Sequence, residues 1–141
     1  MERAELLAAL AASGSRLAEA ARAPRDRPVP DGEWGPVEVV RHLIAVEVGV
    51  HQSRFGDLAR GGEPRWDWAE PGPWPGEPDL TLEQLLMRFA HLRRETIAIV
   101  ERWDDAAWAR SGTHATYGRL DVAGLLRNVL AHDEEHLGGL G

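Results

Sequence analysis

Six histidines are the residues of this chain with the widest reach into chemistry, and two of them are spaced for a shared task. His132 and His136 stand four apart in a stretch of helical periodicity, which sets their Cβ atoms about 6 Å apart on one face. That spacing suits two imidazoles holding one metal ion. At roughly 100° per residue the pair shares a stripe with Leu125 and Val129, so both rings point into the core or toward its edge. Buried imidazoles need partners. A metal supplies them, and so do hydrogen bonds among core side chains.

A third ligand must come from another element. His91 falls opposite the apolar face of its helix and is expected in solvent. His114 sits in a loop, which leaves its direction open. His42 and His51 share a helix nine residues apart, so on a regular α-helix they point to nearly opposite sides and cannot both reach one site. Hydrophobic patterning places His51 nearer the middle of the apolar arc and His42 at its edge, and so does not choose His42. Helix polarity favours it. His42 lies near the start of its helix and the pair near the end of theirs, so the three come level only if these two helices run antiparallel.

The run His132-Asp133-Glu134-Glu135-His136 also spells the inverted zincin pattern His-x-x-Glu-His. That mechanism wants Glu135 as general base and an acidic ligand downstream, where only Leu137, Gly138, Gly139, Leu140 and Gly141 follow. A protease is therefore not expected, and Glu134 and Glu135 read as a solvated flank. Asp133 lies closer to the apolar stripe. It either orients a ligand as an outer partner or faces a polar gap.

Four helices must position these groups. Leu6, Leu10, Leu17 and Ala21 make a stripe over 4–23, ended by Pro24, Pro28 and Pro30. Pro36 opens a second helix to about residue 59. A third begins near Leu82, capped by Asp79 or Thr81, and carries Leu85, Leu86, Phe89, Val100 and Trp103 on one face. A fourth runs from about Val122 to Leu137 behind Asp121. Residues 111–119 could pair as a short hairpin, yet no strand series is convincing, so the fold class is an all-α four-helix bundle in one domain spanning residues 1–141.

Between the second and third helices lie residues 60–79, with five prolines, four glycines and Trp66, Trp68 and Trp74. Twenty residues can stretch to roughly 65 Å, while a 23-residue helix is about 35 Å long. The segment can therefore cross the bundle from end to end. An up-down-down-up order needs such a crossover, and it makes the second and fourth helices antiparallel. The three tryptophans either wall a pocket above the histidines or, as more such residues do, tie the loop to the bundle. Trp34, Trp103 and Trp108 are expected in core or bundle-end packing.

Composition narrows the chemistry further. The chain has 141 residues, a net charge of -7 and no cysteine, and all its basic residues are arginine. There is no thiolate ligand, no nucleophilic cysteine and no lysine base. An acidic domain repels phosphate backbones, so no nucleic-acid partner is expected. A local basic patch could override this, and Arg88 with Arg93 and Arg94 is the best candidate. No apolar run reaches the roughly 18–20 residues of a membrane span. The charged start, Met1-Glu2-Arg3-Ala4-Glu5, has no signal-peptide core, which points to the cytoplasm.

Two stretches resemble the DinB-like superfamily, which includes YfiT-like proteins. One is Trp34-Gly35-Pro36-Val37-Glu38-Val39-Val40-Arg41-His42-Leu43, similar to a Trp-small-Pro segment leading into a helix with an inward histidine. The other runs from Gly118-Arg119-Leu120 to His132-Asp133-Glu134-Glu135-His136-Leu137, similar to a last helix with two histidines four apart. The resemblance implies an up-down-down-up bundle, frequent homodimers and a divalent metal on His42, His132 and His136. It also implies one of several activities, among them thiol-dependent S-transfer with a bacillithiol-type cosubstrate.

Three neutral imidazoles leave open positions on a metal, as catalytic sites do. An open position can bind a thiol as thiolate or make hydroxide from water. Zn, Ni, Mn and Fe all suit histidine ligands. The expected function is a metal-dependent enzyme. Its alternatives are a metal- or ligand-binding module without catalysis and a dimeric interaction protein that has lost its metal.

Overall fold

The computed structural model describes residues 2–140. Helix α1 spans Arg3–Arg22 and buries Leu6, Leu10, Leu17 and Ala21. It stops because Ala23, forced out of the helical region by the ring of Pro24, is extended at ψ 139°. Helix α2 spans Pro36–Val46. Proline suits its first position, where no N–H partner exists, and the Glu38 carboxylate accepts from the Gly35 N–H at 3.4 Å.

The helix does not end at Val46. It continues as a wide π turn, Glu47–Gln52, into α3, Ser53–Arg60. Gly61 terminates it with φ 84°, a conformation that costs a residue without Cβ little. The single helix expected over 36–59 is thus continuous in path but irregular in winding.

Helix α4, Leu82–Glu101, opens on a reciprocal cap: the Thr81 hydroxyl accepts from the Gln84 N–H, and the Gln84 side chain accepts from the Thr81 N–H. A short α5, Asp105–Trp108, is capped by Asp104. Helix α6, Val122–Leu140, follows Asp121, whose carboxylate accepts from the Gly124 N–H at 2.8 Å.

The all-α expectation needs one correction, because a small mixed sheet is present. Strand β2, Ser111–His114, pairs antiparallel with β3, Gly118–Asp121, and parallel with β1, Arg65–Trp66. Two residues are too few to show a period of two, and their partner lies 48 positions away, Arg65 opposite Thr113. The sheet seats the Trp66 ring over Gly112, where a Cβ would come inside 3.0 Å of three ring carbons.

The core has two apolar halves. Leu6 and Leu10 pack with Phe55, Leu58, Val100, Val122 and Leu125. Leu17 and Ala21 pack with Val39, Leu43, Leu85, Phe89 and Leu140. The ion pair Arg22–Glu83 links the end of α1 to the start of α4, and Arg3–Asp105 links its start to α5, just beyond the end of α4. Between the halves lies a polar layer in which Arg93 binds Glu47 and Asp133, Ser13 donates to Asp133, and Thr96 donates to Glu47.

The loop after α3 reaches both ends of that helix run. Trp66 Nε1 donates to Asp57 near its close, while the Trp74 N–H donates to the Arg41 carbonyl near its start. Arg41 in turn donates to the carbonyls of Trp74, Gly76 and Glu77 at 2.7–3.0 Å. Trp66 is buried and Trp74 packs against the second apolar half, so both tie the loop down. Trp68 does not; it is 57% exposed.

Candidate metal centre

His42 is the seventh residue of α2, fully buried, with the Trp34 ring 5.1 Å away. Its Nδ1 is 2.6 Å from the Pro71 carbonyl. A carbonyl only accepts, so Nδ1 carries the proton and the lone pair of the neutral ring sits on Nε2. That Nε2 is 3.1 Å from Nε2 of His136, which is 3.2 Å from Nε2 of His132. Three imidazoles from two helices, α2 and α6, thus turn the same atom to one point.

A fourth group joins them. Glu70, in the proline-rich loop, places Oε1 3.0 Å from His42 Nε2, 3.6 Å from His132 Nε2 and 3.9 Å from His136 Nε2. The four ligand atoms lie within 4.8 Å of one another. Around a tetrahedral ion with bonds of about 2.05 Å, ligand atoms stand about 3.3 Å apart. The observed spacings bracket that value, so the donor set fits a divalent ion of the size and softness of zinc or its neighbours. Burial lowers the pKa of both His132 and His136, which keeps them neutral and able to donate lone pairs.

Several sequence expectations resolve here. His91 is in solvent, paired with Glu95. His114 is buried on β2, and its Nδ1 accepts from the Thr116 N–H at 2.9 Å, closing the turn before β3. His51 corrects a geometric argument. Nine residues of regular α-helix would turn it away from His42, but the π turn advances less per residue. His51 therefore also faces α6, with its ring 5.7 Å from that of His132, against 5.5 Å for His42. It stays outside the four-atom cluster. Burial first, then the charge of His132, hold its pKa well below the usual histidine range.

Asp133 is fully buried, and both oxygens are engaged away from the histidines: Oδ2 accepts from Ser13 and Arg93, and Oδ1 from Arg93. Of the two readings open for it, the polar gap is the one its hydrogen bonds match. Arg93 likewise contributes nothing to a basic patch, since its guanidinium is buried between two carboxylates. Burial alone would lower its pKa, but the hydrogen bonds and charges of Asp133 and Glu47 outweigh that and raise it.

Beside the cluster is a cavity of about 90 Å³, walled by His51, Arg54, Trp68, Glu70, His114 and His132. Trp68 thus takes the pocket role, while Trp66 and Trp74 take the packing one. Glu70 and Arg54 are the residues that sequence reasoning missed. Glu70 is one acidic residue among several in an aperiodic loop. Arg54 carries no spacing signal, because the irregular winding before it hides which face it occupies.

The four-helix architecture and the histidine cluster define a class. Residues 1–140 match the family model of the DinB superfamily, and the chain belongs to that family. Among solved structures it is similar to YfiT from Bacillus subtilis, described as "a probable metal-dependent hydrolase with an unusual four-helix bundle topology". The two share 19% identity with a TM-score of 0.71, over 99% of this chain and 83% of that one. No curated protein matches the chain. Among the described residues no helix is long and apolar enough to cross a membrane.

Proposed function

We propose that this chain is a metal-dependent enzyme whose divalent ion is held by His42, His132 and His136, with Glu70 at the fourth position. The observation that carries the reading is the convergence of three Nε2 atoms at 3.1–3.2 Å steps around one point. Lone pairs brought that close repel one another unless protons or a cation lie between them. The Pro71 carbonyl supports the same reading, because it sets the ring of His42 in the tautomer a ligand needs. A divalent ion at this point would supply a Lewis acid able to lower the pKa of a bound water or thiol.

The chain's own residues do the rest. Trp34 and the Pro71 backbone hold His42 and shield it from water. Glu70 is 41% exposed on its side chain and can swing from the cluster to accept a proton from an incoming nucleophile. The carboxylate favours hydrolysis. S-transfer with a bacillithiol-type thiol rests on the family resemblance, and a screen of thiol cosubstrates separates the two.

The reading includes an up-down-down-up order of α1, α2–α3, α4 and α6 with a long crossover. It is supported by the end-to-end ion pairs and by the loop's contacts at both ends of α2–α3. A cytoplasmic homodimer is part of the same proposal. Elemental analysis of the purified wild type and His132→Ala, side by side, tests the core of it. About one ion per chain in the first and none in the second is expected. Equal content in both removes the assignment.

A further inference from the structure

The metal reading leaves one buried charge unused. Arg54 on α3 is 8% exposed, yet no Asp or Glu among the described residues lies within 4.0 Å of its guanidinium. Its one protein hydrogen bond runs from Nη2 to the Asp67 carbonyl at 3.3 Å. The other buried arginines are fully engaged: Arg93 by two carboxylates and Arg41 by three carbonyls. Arg54 stacks only loosely, 5.9 Å over the Trp66 ring. Burial lowers its pKa, the opposite of the outcome for Arg93. The remaining N–H groups of Arg54 are not sealed in the core, so they are open to an anion that enters from the cavity side.

This group lines the same cavity as His132 and Glu70. We propose that Arg54 is an anion subsite that binds a carboxylate group on the substrate or cosubstrate of the histidine centre. The inference rests on the metal reading above and names the class of molecule that the centre takes. The guanidinium presents a planar fork that matches a carboxylate. Glu70 and Glu135 also line the cavity, so a phosphate dianion meets two negative charges where a monocarboxylate brings only one. Trp68 and Tyr117, ring centroids 6.3 Å apart, add apolar surface to the same lining, suited to a short carbon linker.

The test uses two thiols of similar size. Wild type, Arg54→Gln and Arg54→Lys are loaded with Co(II), and cobalt content is measured first. Each is then titrated with 3-mercaptopropionate and with 2-mercaptoethanol, read by the thiolate-to-cobalt charge-transfer band. Wild type should prefer the acid by about tenfold or more, the weight of a charge-assisted hydrogen bond. Arg54→Gln should bring the two thiols to parity with cobalt content unchanged. Equal affinities in wild type, or a preference that survives Arg54→Gln, overturns the subsite and leaves the metal reading standing. If Arg54→Gln does not fold, Arg54→Lys decides, because a point charge in place of the fork must weaken the preference; an unchanged preference overturns the subsite. Protein that takes up no cobalt overturns the metal reading instead. In that case, or if neither thiol gives a band, metal-free protein decides. Saturating propionate must then shift the Arg54 Nε–H resonance, and an unmoved resonance overturns the subsite.

Discussion

Arg93 on α4 grips Asp133 on α6 through two bonds, Nη1 to Oδ2 at 2.7 Å and Nη2 to Oδ1 at 3.0 Å, and Asp133 is the next residue after His132. The same guanidinium donates twice to Glu47, at 3.0 Å each. The polar layer therefore locks the part of α6 that carries the histidines to the middle of the bundle. Replacing Arg93 with Met leaves two buried carboxylates without a counter-ion. The expected loss is about 3–5 kcal/mol in chemical denaturation. Replacing Arg93, Glu47 and Asp133 together by apolar residues should recover much of that loss, because no charge is then stranded.

Substitution of single histidines separates the ligands from their neighbour. Metal affinity should fall in His42→Ala, His132→Ala and His136→Ala by more than the roughly 10–100-fold that loss of an outer partner costs. His51→Ala should keep the ion, since its ring flanks His132 but no nitrogen of it joins the cluster. Equilibrium dialysis against a competing chelator measures both. Loss of the ion in His51→Ala with retention in His42→Ala would exchange the two assignments.

Acid should unfold the metal-free protein early, for a stated reason. His51, buried and held well below its usual pKa, stays neutral in the fold when the unfolded chain takes a proton. The unfolded state then binds more protons, so stability rises with pH and is lost as pH falls below the ordinary histidine value of about 6.5. The slope for one such group is at most about 1.4 kcal/mol per pH unit. Denaturation midpoints between pH 7 and 5 should show it, and His51→Gln should reduce the slope by that one group's share, since burial lowers His132 and His136 as well.

Gly112→Ala probes the seat of the small sheet. The new methyl meets the Trp66 ring, which is buried and tied to Asp57, so the ring has to move. Overpacking of this kind costs about 1–3 kcal/mol. Tryptophan emission and the thermal midpoint should change together.

The helices were legible wherever period and punctuation agreed. Thr81 and Asp121 cap where a capping residue precedes an apolar stripe, and Pro24 ends α1 through its effect on Ala23. The histidine pair was legible because i and i+4 is a local relation. His42 required an argument about helix polarity, which became available only through the length of the loop. Glu70 and β1 were not legible, since each depends on where an aperiodic segment comes to rest. His51 was misjudged for a different reason: the angle between two residues of one helix can be counted only if every turn is the same width.

That unequal turn is confined to one stretch of the α2–α3 run. Gly49 lies within Glu47–Gln52, exposed, with nothing within 4 Å of where a Cβ would stand. Exchanging it for alanine is a gain, about 0.5–1 kcal/mol from the smaller entropy of the unfolded chain. Removing it tests the width of the turn. A π turn holds one residue more than the regular helix it interrupts, so one residue fewer restores regular winding and turns the residues beyond it by far less than the roughly 100° of a single residue. Phe55, Leu58 and Arg54 then keep their faces, and the rearrangement falls on Glu47–Gln52 itself. The extra residue is local to the turn, and the helix on either side is already in phase without it.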